Sequence, residues 1–182
     1  RHASLRAAYV AGNVVVTPNP RAHALFADKR TLTLLSNADS LNHWGLSQSH
    51  LDVLCASVPK TVIVSPANAD ALWQDRRNLF FKPARGHGSK AAYRGDKVTR
   101  KVWAEILAHE YVAQAFAAPG TRSVRLDEVP VELKVDVRLY SFAGTVLLAA
   151  ARLYQGQTTN MRTPGGGFAP VLEVRTAFEG AP

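Results

Sequence analysis

The feature that most constrains the fold is a run from Leu133 to Tyr140 in which apolar and polar residues alternate strictly. A period of two predicts a β-strand with Leu133 on an apolar face and a charged row on the other face. A second β-rich run, Thr145 to Tyr154, follows the turn residues Ala143-Gly144. The sequence therefore predicts a long antiparallel hairpin with one face on a core and the other facing a cleft or solvent.

A three-residue loop that ends at a left-handed Gly144 would set the pairing of this hairpin. In that register Lys134 lies opposite Arg152, and Asp136 lies opposite Ala150. Cations beside one carboxylate would suit a polyphosphate, and an Asp136–Arg salt bridge on an exposed sheet face explains the same residues equally well. From the alternation and this turn we expect four charged side chains of the hairpin to point into one cleft, with Lys82 across from them. They are Lys134, Asp136, Arg138 and Arg152.

Shorter strands and helices alternate along the rest of the chain. The β-branched run Asn13 to Thr17 predicts a strand, and apolar spacing predicts a helix over Ala22 to Leu35. Thr99 is expected to cap a helix that ends at about His109. The whole reads as an α+β fold with mainly antiparallel sheets and flanking helices. We expect three segments: a mostly helical opening segment with one strand at 1–60, a small lobe at 61–117, and a second sheet at 118–182.

The composition narrows the class of protein. The chain has 182 residues and a net charge of +8, which suggests anionic partners such as nucleotide phosphates, nucleic acid or an acidic surface. No apolar run approaches the roughly 18 residues of a membrane span, so no membrane partner is expected. The single cysteine, Cys55, lies in an apolar pattern and is expected to be buried, which together with the lack of disulfides favours a cytoplasmic protein. The two tightest basic groups are Asp75-Arg76-Arg77 and 97–101.

The most informative segment for chemistry runs from Leu79 to Gly95. An apolar strand ends at Lys82, and a small, basic loop follows that contains three small residues, Gly86, Gly88 and Ser89. Glycines allow backbone N–H groups to approach an anion, and the lysine would add a point charge. The alternative is a strand that ends in a charged residue before an exposed hairpin loop.

Several motifs, in this order, resemble the ATP-grasp superfamily. The resemblance covers roughly residues 10 to 172, and each motif is short, so that order and spacing carry it. The motifs are Asp28-Lys29, Val58-Pro59-Lys60-Thr61, Phe81-Lys82-Pro83 with the Gly86–Ser89 loop, Tyr111–Phe116, Asp136-Val-Arg138, Arg152, and Asn160 before Gly165-Gly166-Gly167.

The resemblance implies a two-lobed fold that holds ATP with Mg²⁺ and forms an acyl-phosphate, which an amine or similar nucleophile attacks. It implies that Lys29 and Lys82 contact phosphates, and that Gln114 lies at the adenine or ribose edge. Arg138 and Arg152 would be catalytic residues that hold phosphate or the acyl intermediate. A nucleotide and a small-molecule carboxylate are the implied partners, and nucleic acid is not expected. The remaining implied nucleotide-binding residues are Gly86, Gly88, Ser89, Asp136 and Asn160.

The sequence departs from the family in its metal ligands. A typical member ends with an Asp and a Glu-x-Asn that bind magnesium, whereas Glu173-Val-Arg175 lacks the Asn. In circularly permuted members the metal-binding strand precedes the Asp-Lys helix, and 11–19 resembles the end of that strand. This reading makes Asn19 a metal ligand and places the acidic ligands upstream of Arg1. The chain is then expected to be an N-terminally truncated piece with an incomplete, inactive site.

Two other functions remain open from the sequence. The chain could be a degenerate ATP-grasp module that binds a nucleotide or a partner without catalysis. It could also be a basic nucleic-acid-binding domain, which a linear loss of affinity with the logarithm of salt concentration would favour.

Overall fold

The computed structural model describes residues 2–86, 88 and 90–173. The chain divides into two compact units, Arg1–Ala117 and Ala118–Pro182. Each unit holds one four-stranded antiparallel sheet, and helices flank the sheet of the first unit. The expected α+β architecture with mainly antiparallel sheets is therefore confirmed.

The sheet of the first unit has the strand order β1-β4-β2-β3. Short 3₁₀ turns lie at Pro66–Asn68, Arg76–Asn78 and Gly95–Lys97. The strands are β1 (Thr61–Ile63), β2 (Leu79–Pro83), β3 (Tyr93–Arg94) and β4 (Tyr111–Ala115). The helices are α1 (Ala3–Val10), α2 (Pro20–Phe26), α3 (Thr31–Leu35), α4 (Ala38–His43), α5 (Gln48–Ser57), α6 (Ala69–Gln74) and α7 (Arg100–Ala108).

The core of this unit lies between one face of the sheet and helices α6 and α7. Phe81 is fully buried, and its ring meets Trp103 edge-on with the ring centroids 5.4 Å apart. Helix α7 begins as the sequence predicts, because the Thr99 hydroxyl accepts a hydrogen bond from Val102 N at 3.3 Å. Strand alternation then directs the neighbours of Phe81, which are Phe80 and Lys82, to the other face of the sheet.

Three expectations for the opening segment are wrong. Asn13–Thr17 forms no strand, since it pairs with no neighbour and Val15 is 94% exposed. The helix over Ala22–Leu35 is two helices, because the Asp28 carboxylate accepts a hydrogen bond from Arg30 N at 2.9 Å and so replaces a helical backbone bond. Cys55 is exposed, because α5 fully buries only Leu51 along its inner face.

The second unit is a sheet with the strand order β5-β6-β7-β8. The sequence predicts its central hairpin, whose second strand has the expected bounds. It does not predict the strands at either edge, which begin at Gly120 and at Gly167, the last residue of the glycine triplet. The strands are β5 (Gly120–Leu126), β6 (Val129–Phe142), β7 (Thr145–Tyr154) and β8 (Gly167–Pro170).

The register of the hairpin corrects the predicted one by two residues. Arg152 lies opposite Asp136 instead of Lys134, and Lys134 lies opposite Tyr154. The loop has two residues, Ala143 and Gly144, both with positive φ, and an irregularity between Tyr140 and Ser141 shifts the pairing by one further residue. A single shift would have moved Arg152 to the opposite face, whereas the two changes together keep it beside Asp136.

The apolar face of the second sheet is only partly covered. Leu133 is fully buried at one end of β6, but Val137 and Leu139 are 58% and 60% exposed. Within 118–173 the structure contains no helix that could cover this face. The expectation that this face packs on a core is therefore correct at Leu133 and wrong at Val137 and Leu139.

Candidate functional site

A row of hydrogen-bonded side chains crosses three strands of the first sheet on the face opposite the core. Lys82 Nζ donates to Gln114 Oε1 at 2.6 Å, and Gln114 Nε2 donates to Thr61 Oγ1 at 3.0 Å. The Thr61 hydroxyl donates its own hydrogen to Pro59 O at 2.8 Å, so its oxygen is left to accept. This chain fixes the Gln114 carboxamide with its oxygen toward Lys82, and so positions the ammonium group.

Lys82 is a half-buried cation in this row. Burial lowers its pKa, and the nearby positive charge of Lys29 lowers the pKa further. Among the described residues, neither lysine has a carboxylate oxygen within 4.0 Å. A partly desolvated ammonium group that is repelled by a second cation, and has no carboxylate partner, favours a bound anion.

The segment Asp28-Lys29-Arg30 is anchored beside the end of β2. Lys29 N donates to Ala84 O at 2.8 Å, and its ammonium group donates to Gly86 O at 3.0 Å. The Asp28 carboxylate accepts hydrogen bonds from Arg30 and from Arg85, which hold its pKa far below the ordinary value. These contacts join the loop between α2 and α3 to the loop that follows Lys82.

A cavity of about 230 Å³ lies beside this anchored segment and is open to solvent. Arg30 of the same segment also forms a 2.7 Å ion pair with Glu110. The residues that line the cavity are His23, Ala24, Ala27, Asp28, Arg85 and Gly86.

The glycines of the expected phosphate loop have backbone conformations that suit their residue type. Gly86 and Gly88 have φ angles of 114° and 69°, and a Cβ at either position would meet nothing within 4 Å. These positions therefore need glycine for the backbone rather than for space. Ser89 lies outside the described residues.

In the second unit the charged row lies on one face of the sheet, as the alternation predicts. Arg152 donates twice to Asp136, through Nε to Oδ1 at 2.6 Å and through a terminal nitrogen to Oδ2 at 3.0 Å. This bidentate pair raises the pKa of Arg152. The Arg138 guanidinium lies 5.9 Å from the Tyr140 ring, and Lys134 donates to Gly156 O.

The side chains of the two asparagines that the resemblance implicates, Asn19 and Asn160, accept hydrogen bonds from backbone N–H groups two or three residues further along the chain. Asn19 Oδ1 accepts from Arg21 N at 2.9 Å and from Ala22 N at 3.2 Å, and so caps α2. Asn160 Oδ1 accepts from Arg162 N at 3.1 Å inside the turn before the glycine triplet. Both carboxamide oxygens are thus engaged by backbone N–H groups.

Metal coordination finds little support in the residues at hand. The described part of the chain brings together no group of three or more His, Cys, Asp or Glu residues that could hold a metal ion. Asp136 is occupied by Arg152, and the Asn19 oxygen caps a helix. The residues present therefore do not fit a magnesium site, which needs free oxygen ligands.

The resemblance implies that Lys29, Lys82, Gly86 and Gln114 surround one nucleotide. In the structure all four lie in the first unit, joined by hydrogen bonds from Lys29 to Gly86 and from Lys82 to Gln114. Sequence reasoning missed Thr61 as the residue that orients Gln114. The threonine in Val58-Pro59-Lys60-Thr61 was the available signal, since it begins a strand that pairs with Gln114.

Comparison with family models, with curated proteins and with solved structures finds no match to the chain. Across 2–86, 88 and 90–173, no helix is both long and apolar enough to cross a membrane. The assignment of function therefore depends on the geometry of the site itself.

Proposed function

We propose that the chain is the ATP-binding part of an ATP-grasp-like ligase, which binds the nucleotide through Lys82 and Lys29 and does not turn it over by itself. The whole protein would form an acyl-phosphate on a small-molecule carboxylate for attack by an amine or similar nucleophile. A module of the same origin that binds a nucleotide or a partner without catalysis is the alternative.

One observation carries the proposal: Lys29 is hydrogen-bonded to the chain two and four residues after Lys82, and the described residues place no carboxylate oxygen within 4.0 Å of either ammonium group. An anion that bridges them would remove their mutual repulsion and offset the cost of burying Lys82. The left-handed Gly86 and Gly88 lie in the loop just after this strand and leave open space where side chains would be. A polyphosphate meets these requirements.

Gln114 has a different role in this proposal from the one the resemblance implies. Its oxygen accepts from Lys82 and its amide nitrogen donates to Thr61, so its strongest interactions are already made within the sheet. We assign it as a positioning residue that holds the Lys82 ammonium group. Nucleotide recognition would then use backbone groups or side chains other than this carboxamide.

The described residues also indicate how strongly ATP binding by this chain should depend on Mg²⁺. Because the described residues do not fit a magnesium site, ATP binding by this chain should be only mildly sensitive to Mg²⁺. Arg152 is held by Asp136, so any contact with phosphate would have to use the guanidinium edge that the carboxylate leaves free.

The test is a thermal-shift titration of the 182-residue chain with ATP, with and without Mg²⁺. A ligand at about ten times its dissociation constant stabilises the folded state by roughly 1.4 kcal/mol, which is a measurable rise in Tm. We expect wild type to shift and Lys82→Met, which keeps the apolar stem, to lose most of the shift. Gln114→Leu should weaken binding less, since it removes the positioning contact only.

Arg122→Ala is the matched control, because Arg122 is an exposed cation on β5 in the other unit. Its shift with ATP should equal that of wild type. No shift in wild type at millimolar ATP would refute nucleotide binding. An equal shift in Lys82→Met would remove this lysine from the site, and sustained ATP hydrolysis would refute binding without turnover.

A further inference from the structure

A second cationic surface lies in the first unit around Trp73, at the C-terminal end of α6. The guanidinium groups of Arg76 and Arg100 each lie over the indole ring, with Cζ 4.1 Å from the ring centroid in both cases. The next residues in the chain, Arg77 and Lys101, are exposed. We call these four cations with their tryptophan the Trp73 platform.

The fold brings together two basic groups that are about 20 residues apart in the sequence. The 3₁₀ turns Arg76–Asn78 and Gly95–Lys97 pack closely, since a Cβ on Gly95 would lie 1.7 Å from the carbonyl oxygen of Arg76. Only glycine permits this approach. Helix α7 begins at Arg100, three residues after the end of the second turn, and this start places the Arg100 guanidinium over the ring of Trp73.

The charges of the platform are not neutralised by the residues that the structure describes. None of the four cations has a carboxylate oxygen within 4.0 Å among those residues, whereas Arg94 and Lys97 nearby share Asp96. The first turn of α7 contains no acidic residue and carries two basic ones. Cations at a helix N-terminus add to the positive end of the helix dipole, so the surface attracts anions more strongly than its formal charge alone implies.

We propose that the Trp73 platform binds the phosphodiester backbone of a nucleic acid, independently of sequence. Four cations exceed the charge of a single phosphate group, and a nucleic-acid backbone presents repeated charges along its length. Stacking on the indole orders both guanidinium groups, which suits contact with phosphate oxygens. Arg76 Nη1 also donates to Trp73 O at 2.7 Å, so Arg76 would use its remaining N–H groups. Because the guanidinium groups already lie over the ring, Trp73 is not offered to bases, and contacts should be to the backbone.

An acidic protein segment fits the same surface less well. Protein interfaces gain most of their affinity from buried apolar or aromatic anchors at the centre of the patch. On this surface the central aromatic ring is Trp73, and two arginine side chains lie over it. The surface therefore presents positive charge without an apolar anchor. Binding to a phosphodiester backbone depends mainly on charge and needs no such anchor.

The experiment is a fluorescence-anisotropy titration of the 182-residue chain against a labelled 20-base-pair DNA duplex and a single-stranded RNA, over a series of salt concentrations. With up to four phosphates neutralised, the logarithm of the duplex affinity should fall with the logarithm of salt concentration at a slope of about −3 to −4. Removal of one contact should reduce that slope by about 1 and weaken binding to all sequences alike.

The variants are Arg77→Ala and Lys101→Ala, which truncate exposed side chains, and Arg100→Gln, which removes one stacked guanidinium. Arg122→Ala is again the control and should keep the slope and affinity of wild type. Unchanged slopes in all three platform variants would refute the proposal. So would binding of a polyglutamate peptide as tight as binding of either nucleic acid. The ATP titration of Lys82→Met reports on a different face of the sheet, so either proposal can fail alone.

Discussion

Removal of the Asp136–Arg152 ion pair should destabilise the second sheet by a measurable amount. The pair crosses directly between β6 and β7 and makes two hydrogen bonds of 2.6 and 3.0 Å, with side chains 31% and 24% exposed. Fully exposed pairs contribute about 0.2–1 kcal/mol, and charge-assisted hydrogen bonds about 1.5–3 kcal/mol. Partial exposure places the expected coupling between these values, at about 1–1.5 kcal/mol.

The assay is a double-mutant cycle measured by urea denaturation. Asp136→Asn, Arg152→Gln and the double variant are compared with wild type, and the coupling energy is the departure from additivity. With a typical dependence on urea of about 1–3 kcal/mol/M, a loss of about 1–1.5 kcal/mol in a single variant should lower the midpoint by about 0.3–1.5 M. The coupling should fall in 1 M NaCl, because the pair is partly exposed.

Arg138→Gln is the matched control, since Arg138 lies on the same strand and the same face as Asp136. Among the described residues it has no carboxylate oxygen within 4.0 Å. It should change stability by less than about 0.5 kcal/mol. A coupling energy below about 0.3 kcal/mol would refute the claim that the pair stabilises the sheet, and Arg152 would then be free to bind a ligand.

Three further predictions follow from the first unit. Hydrogen bonds lower the pKa of Asp28 in the folded state, so its carboxylate stabilises the fold fully above about pH 4 and this stabilisation is lost as the pH falls below that value. The free energy of unfolding of Asp28→Asn should therefore change less with pH in the acid range than that of wild type. Gly95→Ala should lower the free energy of unfolding by at least about 1–3 kcal/mol, because the new Cβ would clash with a backbone carbonyl. Gly120→Ala, whose nearest contact would be a side chain at 3.3 Å, should lower it less, and thermal denaturation compares the two variants. Lys29→Met should raise the pKa of Lys82, measured by NMR titration of its side chain, because one of the two causes that lower it is removed; an unchanged value would contradict the proximity of the two charges.

Local pattern in the sequence was sufficient to predict the strongest elements. The strict alternation before Ala143-Gly144 predicts β6, and the β-rich run after it predicts β7 with its observed bounds, Thr145–Tyr154. The Thr99 cap likewise predicts the beginning of α7. These features depend on the backbone geometry of neighbouring residues, which a short stretch of sequence encodes.

The pairing of distant residues required the tertiary structure. Asn13–Thr17 has strand propensity but lies against no strand, and the two-residue register change in the hairpin depends on an irregularity that no residue type signals. The meeting of Arg76 and Arg100 over Trp73, like the joining of Lys82 to Thr61 through a glutamine, comes from contacts between segments far apart in the chain. Composition and spacing determine which side chains alternate and where a helix begins, whereas the partner of each charge depends on packing between elements, because electrostatic and hydrogen-bond energies are set by distances in space.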